Sequence, residues 1–351
     1  LGRDIRGHGR VRIATYNVEW FSNLFDDDAN LLVDDGWSGR HNVTRADQAA
    51  ALGIVFTALD ADAVMVIEAP DGHRKRDGVA ALEAFAAAFG LRTRKAVMGF
   101  VNDTQQEIAL LYDPEVLTPV HDPLGPETGK KGSGDAPRFD GVFRIDLDVD
   151  NTLDTVRWSK PPLELAVETA GGARFRMIGV HAKSKAPHGA RGREAVMRAA
   201  IANRRKQLAQ CIWLRQRVAQ HLEAGDPLIV LGDFNDGPGL DEYERLFGRS
   251  GVEIVIGEEG EVQLFDPHAR QATSRRVGAR PTTARFWISH EERWLQALLD
   301  YIMVSPDLAE KAGKWRIWHP FDDPGCYRVP ELREALLTAS DHFPVTLDLV
   351  L

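Results

Sequence analysis

Short apolar runs, most of them ending in or running into a polar residue, alternate along this chain with longer stretches in which apolar residues return at helical spacing. The first kind reads as β-strand and the second as α-helix. Strands are predicted over 11–18, 62–68, 107–112, 163–168, 174–181, 227–233, 298–304 and 344–350. Helices are predicted over 45–59, 78–89 and 192–223, the last with apolar residues at Val196, Ala200, Leu208, Ile212 and Val218. Thr44 followed by Asp47 resembles a capping box opening the first of them. Residues 120–138 are punctuated by Gly and Pro and read as a loop. There is no internal repeat and no low-complexity linker. The alternation therefore implies one α/β unit over 11–351 behind a polar lead-in at 1–10.

Composition narrows this picture. Of 351 residues, 44% are apolar and 27% charged, which suits a globular enzyme and excludes a disordered or fibrous chain. No apolar run approaches the length of a membrane span. Cys211 and Cys326 are too few for a disulfide scaffold or a thiolate zinc site and are expected to be free thiols. The net charge of -9, from 43 basic and 52 acidic residues, weighs against tight nonspecific binding to a long polyanion. A monomer is expected. The chain begins at Leu1 rather than Met, so a processed N-terminus is expected; the cytoplasm is favoured, with secretion as the alternative.

The chemistry lies where the apolar runs stop. Asn17, Glu68, His181, Asp233 with Asn235, Asp300, and Asp341 with His342 all stand at predicted strand ends or beside them. Strand ends are where separate segments of an α/β fold meet. Taken singly, each has an ordinary explanation: Asn17 and the stretch Gly232–Gly237 as turns, Glu68 as a solvated carboxylate, Ser340-Asp341 as a cap, His181 as structural. Taken together, carboxylates and amides are hard oxygen donors suited to Mg²⁺ or Mn²⁺. Histidines among them can move protons near neutral pH.

In this set the sequence resembles the endonuclease/exonuclease/phosphatase superfamily. The resemblance runs in order through Thr15-Tyr16-Asn17-Val18, Val66-Ile67-Glu68, Glu107–Tyr112, Val180-His181-Ala182-Lys183-Ser184, Leu231-Gly232-Asp233-Phe234-Asn235, and Asp300-Tyr301-Ile302 with Ser340-Asp341-His342-Phe343-Pro344. It implies two packed mixed β-sheets flanked by helices, a four-layer sandwich. It implies a metal held by Glu68 with Asn17, Asp341 and Asp233. It assigns Asp233 and Asn235 to the attacking water and phosphate, His342 to catalysis with Asp300 orienting it, and Glu107 as the partner of a second histidine, His181. Lys160 stands where many members carry Arg, which keeps the charge but loses the bidentate fork. Ile67 stands where many carry Gln. His181 sets the chain apart from apurinic-site endonucleases, and Val230-Leu231 from inositol polyphosphate phosphatases. The pattern is closer to the deoxyribonuclease-like and sphingomyelinase-like branches.

The implied reaction is metal-dependent hydrolysis of a phosphodiester, nuclease action included, by in-line attack of water on phosphorus. A phosphomonoesterase acting on a small or lipid-linked phosphate is the alternative, and a non-catalytic module that kept the fold is the third reading. The substrate is a nucleic acid or a small or lipid phosphodiester, with Lys160, Lys183 and Asn235 binding it. Two basic clusters adjoin the predicted site: Lys183, Lys185, Arg191, Arg193, Arg198, Arg204, Arg205 and Lys206, and then, in a predicted loop before Asp300, Arg270, Arg275, Arg276, Arg280 and Arg285. Each reads either as a phosphate-binding rim or as a solvated face. Trp287 and Trp294 are expected in apolar packing rather than against a base. The acidic stretch within 26–43 reads as an enlarged solvated loop without an assigned role.

Overall fold

The computed structural model describes residues 9–72, 76–147, 153–187, 189, 192–238, 248–274, 278–288 and 292–351. Along the chain the strands are β1 (Arg10–Asn17), β2 (Ala63–Ala69), β3 (Lys95–Met98), β4 (Glu107–Tyr112), β5 (Leu117–His121), β6 (Phe143–Ile145), β7 (Asp154–Val156), β8 (Leu163–Thr169), β9 (Arg174–His181), β10 (Leu228–Asp233), β11 (Ala284–Ile288), β12 (Arg293–Ala297), β13 (Asp300–Val304), β14 (Ala312–Ile317) and β15 (Val345–Val350). The helices are α1 (Arg45–Leu59), α2 (Gly78–Ala88), α3 (Arg193–Ala224), α4 (Gly251–Ile256), α5 (Pro267–Thr273), α6 (Pro306–Lys311), α7 (Pro324–Tyr327) and α8 (Pro330–Ala339).

Two mixed sheets stack face to face. One has the order β14-β15-β1-β2-β4-β3 and the other β13-β10-β9-β8-β5. Alternate residues of each strand explain the layering. In β1 and β2, Ile13, Ala63, Met65 and Ile67 meet Leu165, Met177, Ile229 and Ile302 of the facing sheet. Their neighbours Ala14, Tyr16, Val64 and Val66 pack outward on α1, α2 and α8. In β9 and β10, Ile178, Val180, Leu228 and Val230 pack outward on Trp213, Leu214 and Val218 of α3. Strands covered on both faces carry unbroken apolar runs, which is why they are legible in the sequence.

The expected strands and long helices are all present, with ends shifted by two residues at most. Two expectations are corrected. The loop at 120–138 begins inside β5, an exposed edge strand whose Pro119 broke the pattern. The Arg-rich stretch before Asp300 is not a plain loop but holds α5 and the β11–β12 hairpin. β14 and α8 were not read from the sequence. Cys211 and Cys326 are buried and unpaired. Among the described residues no helix is long and apolar enough to cross a membrane. The lead-in at residues 1–8, Arg191, Arg275 and Arg276 lie outside the described residues.

Topology gathers the strand ends on one rim. β1 and β2 run parallel, as do β9 and β10, so Asn17 and Glu68 end one sheet beside His181 and Asp233 of the other. The antiparallel neighbour β13 starts at the same rim, with Asp300 opposite Asp233. β15 also starts there, directly after His342.

Candidate active site

A cleft of about 640 Å³ opens at this rim, and Asn17, Glu68, Lys160, His181, Lys183, Asp233, Asn235, Asp341 and His342 all line it. Local backbone geometry aims them. Glu68 sits at an irregularity between β2 and β4, with φ 62°, a strained conformation for a residue with a side chain. There its carboxylate accepts a hydrogen bond from Gln106 Nε2 at 2.7 Å and another from the Trp20 backbone N–H. Gly232 has φ 135°, and a methyl group on it would lie 2.1 Å from the Val180 carbonyl oxygen. Glycine is thus required for β10 to approach β9 closely. Gly232→Ala is expected to destabilise the fold by several kcal/mol, on the order of 3 or more, combining overlap with left-handed strain. A denaturation midpoint unchanged from wild type would refute that.

The side chains then interlock. Asn17 Nδ2 donates to Asp233 Oδ2 at 3.0 Å. The Asn235 backbone N–H donates to Asp233 Oδ1 at 2.7 Å, and its Nδ2 donates to Asp233 Oδ2 and the Ala182 carbonyl, each at 3.1 Å. His342 Nδ1 lies 2.8 Å from Asp300 Oδ2. The Ser340 hydroxyl donates to the Asn17 carbonyl at 2.8 Å and accepts from the His342 backbone N–H at 3.1 Å, joining the two segments. His181 Nε2 lies 3.2 Å from Lys160 Nζ, 3.6 Å from Asp233 Oδ2 and 3.9 Å from Glu68 Oε1.

Burial and crowding displace the titrations. Burial raises Asp233 to about 7, with His342 opposing and Asp300 adding to the rise. Burial also raises Glu68 against the pull of Lys160 and His342. Glu19, two residues beyond Asn17, is pushed to about 7 by burial and then by Asp341. Burial works against a charged His342, but Asp300, Asp233 and Asp341 hold it well above the ordinary imidazole range. Burial, Lys160 and His342 keep His181 far below that range, as a neutral ring. Burial lowers Lys160.

The donor set fits a hard divalent cation. Glu19, Glu68, Asp233 and Asp341 crowd negative charge that a cation would relieve. The buried Asn17 Oδ1 has no hydrogen-bond partner, although its amide nitrogen is bonded. Ligand atoms of Asp233, Asp300 and His342 also lie within 4.8 Å of one another. However, Asp300 is engaged by His342, and an imidazolium offers no lone pair. The oxygen donors of Asn17, Glu68 and Asp341 are the better match.

One expected pairing is absent. Glu107 does not meet His181. Its carboxylate accepts from the Asn102 backbone N–H at 3.1 Å and from Asn102 Nδ2 at 2.6 Å. The irregularity at Glu68 puts Glu107 opposite Ala69, facing the 102–106 loop. His181 Nδ1 has no hydrogen-bond partner. Sequence reasoning also missed Glu19, Trp20, Gln106 and Arg40. Position alone could have found Glu19, since it follows Asn17 by two residues. Arg40 gives a role to the enlarged 26–43 loop, because it forms an ion pair with Glu19 and donates to the Leu337 carbonyl at 3.2 Å.

The basic clusters divide. Lys185 is paired with Asp236, Arg198 with Glu194 at 3.5 Å and Arg205 with Asp154 at 3.1 Å. Lys183 faces the cleft, and Lys206 donates to Ser159, beside Lys160, at 3.1 Å. Arg285 stacks between Trp294 at 4.8 Å and Phe321 at 5.3 Å. Trp287 and Trp294 are not in the core as expected. They meet each other across the β11–β12 hairpin at 5.6 Å and are about half exposed.

The sequence model of the endonuclease/exonuclease/phosphatase family matches residues 14–342. No curated protein sequence matches the chain. Among solved structures, the 3'-phosphatase NExo from Neisseria, bound to a product DNA hairpin, is similar over 97% of this chain and 99% of that one, with 16% identity and a TM-score of 0.50. The 3'-5' exonuclease NExo from Neisseria meningitidis is similar over 97% and 100%, with 15% identity and a TM-score of 0.50. TDP2 from C. elegans is similar over 100% and 78%, with 15% identity and a TM-score of 0.49. At such identities the likeness is one of fold.

Proposed function

The chain belongs to the endonuclease/exonuclease/phosphatase family and is a metal-dependent hydrolase of phosphoester bonds; from that premise we propose that it cleaves phosphodiesters with Mg²⁺ or Mn²⁺, residues 11–351 acting as one catalytic unit and as a monomer. The observation that carries the reading is the Asp300–His342 pair at 2.8 Å, in a cleft that also holds Asp233 and Glu68.

Glu68, Asn17 and Asp341 would hold the cation, with Asp233 beside them. When bound, it neutralises the phosphate and the charge that grows on it during attack. Asp233, fixed by Asn17 and Asn235, orients water and accepts its proton; a base near neutrality suits that task. His342, kept charged by Asp300, donates to a phosphoryl oxygen as negative charge develops there. Neutral His181 and Lys160 contact the phosphate from the facing side of the cleft. Lys183 and Asn235 complete the substrate contacts.

Charge favours a diester over a monoester. The cleft concentrates carboxylates, and a dianionic monoester is repelled more strongly than a monoanionic diester. Nucleic acid is one diester of this kind, and the NExo structure holds a DNA hairpin.

The test is a substrate panel after EDTA treatment, with each metal added back. Bis-nitrophenyl phosphate should be turned over only with metal, and faster than nitrophenyl phosphate. DNA, RNA, cyclic dinucleotides and phospholipid head-group diesters then locate the natural class. A faster rate on the monoester would favour phosphomonoester chemistry, and no turnover of any diester with any metal would refute the proposal.

A further inference from the structure

Trp20 is unexplained by the reaction described so far. It lies three residues past Asn17 on the wall of the same cleft and is 46% exposed. Its φ is 60°, a conformation that a bulky residue rarely adopts and that clusters at functional sites. The strained backbone caps the 3-10 turn Phe21–Leu24, its carbonyl accepting the Asn23 N–H at 3.0 Å, and its N–H bonds Glu68; any residue but proline could do both. The indole side chain is not needed for that, nor is it packed into the core.

The ring is nevertheless fixed. A methyl group built on Gly39 would lie 3.0 Å from Trp20 Cγ, so the backbone of the 26–43 loop packs closely against the ring. Trp20 Nε1 donates to Glu19 Oε1 at 3.1 Å. The only polar atom of the indole is therefore engaged, and what the ring offers the cleft is apolar π surface. A hydroxylated sugar would need free polar groups at the ring edge. A flat heteroaromatic group joined to the phosphate suits an apolar π surface on the wall of a cleft that binds phosphate. A second ring, Phe286, lines the same cleft.

We propose that Trp20 is a stacking platform for the nucleobase of the substrate, and so a specificity-determining residue that makes this enzyme prefer nucleotide diesters. The inference rests on the phosphodiesterase reading above, whose cleft supplies the phosphate contacts.

The test separates the two. Binding of thymidine 5'-monophosphate and of ribose 5-phosphate is measured by calorimetry on the full chain with Mg²⁺, for wild type, Trp20→Ala and Trp20→Phe. Base stacking on an aromatic side chain predicts that wild type prefers the nucleotide by roughly 10- to 100-fold. Trp20→Ala should shrink that preference to near unity. Trp20→Phe keeps a ring but loses the bond to Glu19, and should retain most of it. A wild type without preference, an alanine variant that keeps it, or an alanine variant that weakens both ligands equally would overturn the proposal. Phosphocholine, a monoester like the nucleotide, bound more tightly than the nucleotide would overturn it in favour of a lipid head group. Turnover of bis-nitrophenyl phosphate by wild type is recorded on the same samples. A nucleotide preference that depends on Trp20, without turnover of any diester of the panel with either metal, would sink the phosphodiesterase reading while leaving the stacking platform standing.

Discussion

Alanine in place of His342 lowers kcat on a diester by roughly 10²–10⁴-fold, the range in which a positioned acid–base group acts. Asp300→Asn acts through the same histidine. The amide preserves the shape of the 2.8 Å contact but removes the charge that holds His342 protonated. Its loss should approach that of the alanine variant. Because the two residues act as a unit, the double variant should be little worse than His342→Ala alone. Two independent sites would instead multiply their losses. Steady-state kinetics at saturating metal decides this, with circular dichroism and thermal melting to show that each variant folds. A folded His342→Ala enzyme with wild-type kcat would remove His342 from the mechanism. Losses that multiply would remove the pairing.

Arg217→Ala should destabilise the protein by about 3–5 kcal/mol, as expected when one partner of a buried ion pair is deleted. The Arg217 side chain on α3 is fully buried, and Nη1 donates to Glu164 Oε1 on β8 at 2.8 Å. Nη2 donates to the carbonyls of Ala136 at 2.7 Å and Pro137 at 3.2 Å, and Nε donates to Gln220 at 3.0 Å. The guanidinium also lies over Phe139 at 5.3 Å. One side chain thus ties the central helix, the second sheet and the loop before β6. Alanine leaves a buried carboxylate and two carbonyls without that donor, and their desolvation is the source of the loss. Burial already pushes Glu164 up to about 7 even with the arginine present. Combining Arg217→Met with Glu164→Gln should recover part of the stability, since the stranded charge is then absent. Chemical denaturation of the wild type and of these two variants measures this. An alanine variant within 1 kcal/mol of wild type would show that the pair contributes little.

Much of the fold and of the candidate site was legible before any coordinates. β10 illustrates why: Leu228–Leu231 form an unbroken apolar run because the strand is covered on both faces, and Asp233 marks where the apolar run gives way to the site. Local signals of that kind survive in a linear sequence. β5 and β14 were missed because edge strands carry Pro119 or Gly313 and lose the pattern. Arg40, Trp20 and the true partner of Glu107 were missed for a different reason. Each depends on a loop path or a local irregularity of the backbone, which no residue spacing encodes.

From the chain alone came the alternation of strands and helices, and the set of acids, amides and histidines that stand at strand ends. Both follow from short-range signals: burial periodicity, and the change from apolar to polar residues where a strand ends. Only tertiary structure decided which of those groups touch. Parallel pairing at the centre of each sheet brought Asn17, Glu68, His181 and Asp233 to one rim, antiparallel β15 brought His342 there, and the irregularity at Glu68 turned Glu107 away from His181. Contacts of that kind span hundreds of residues and turn on displacements of a few ångströms, so they are settled by how the layers pack.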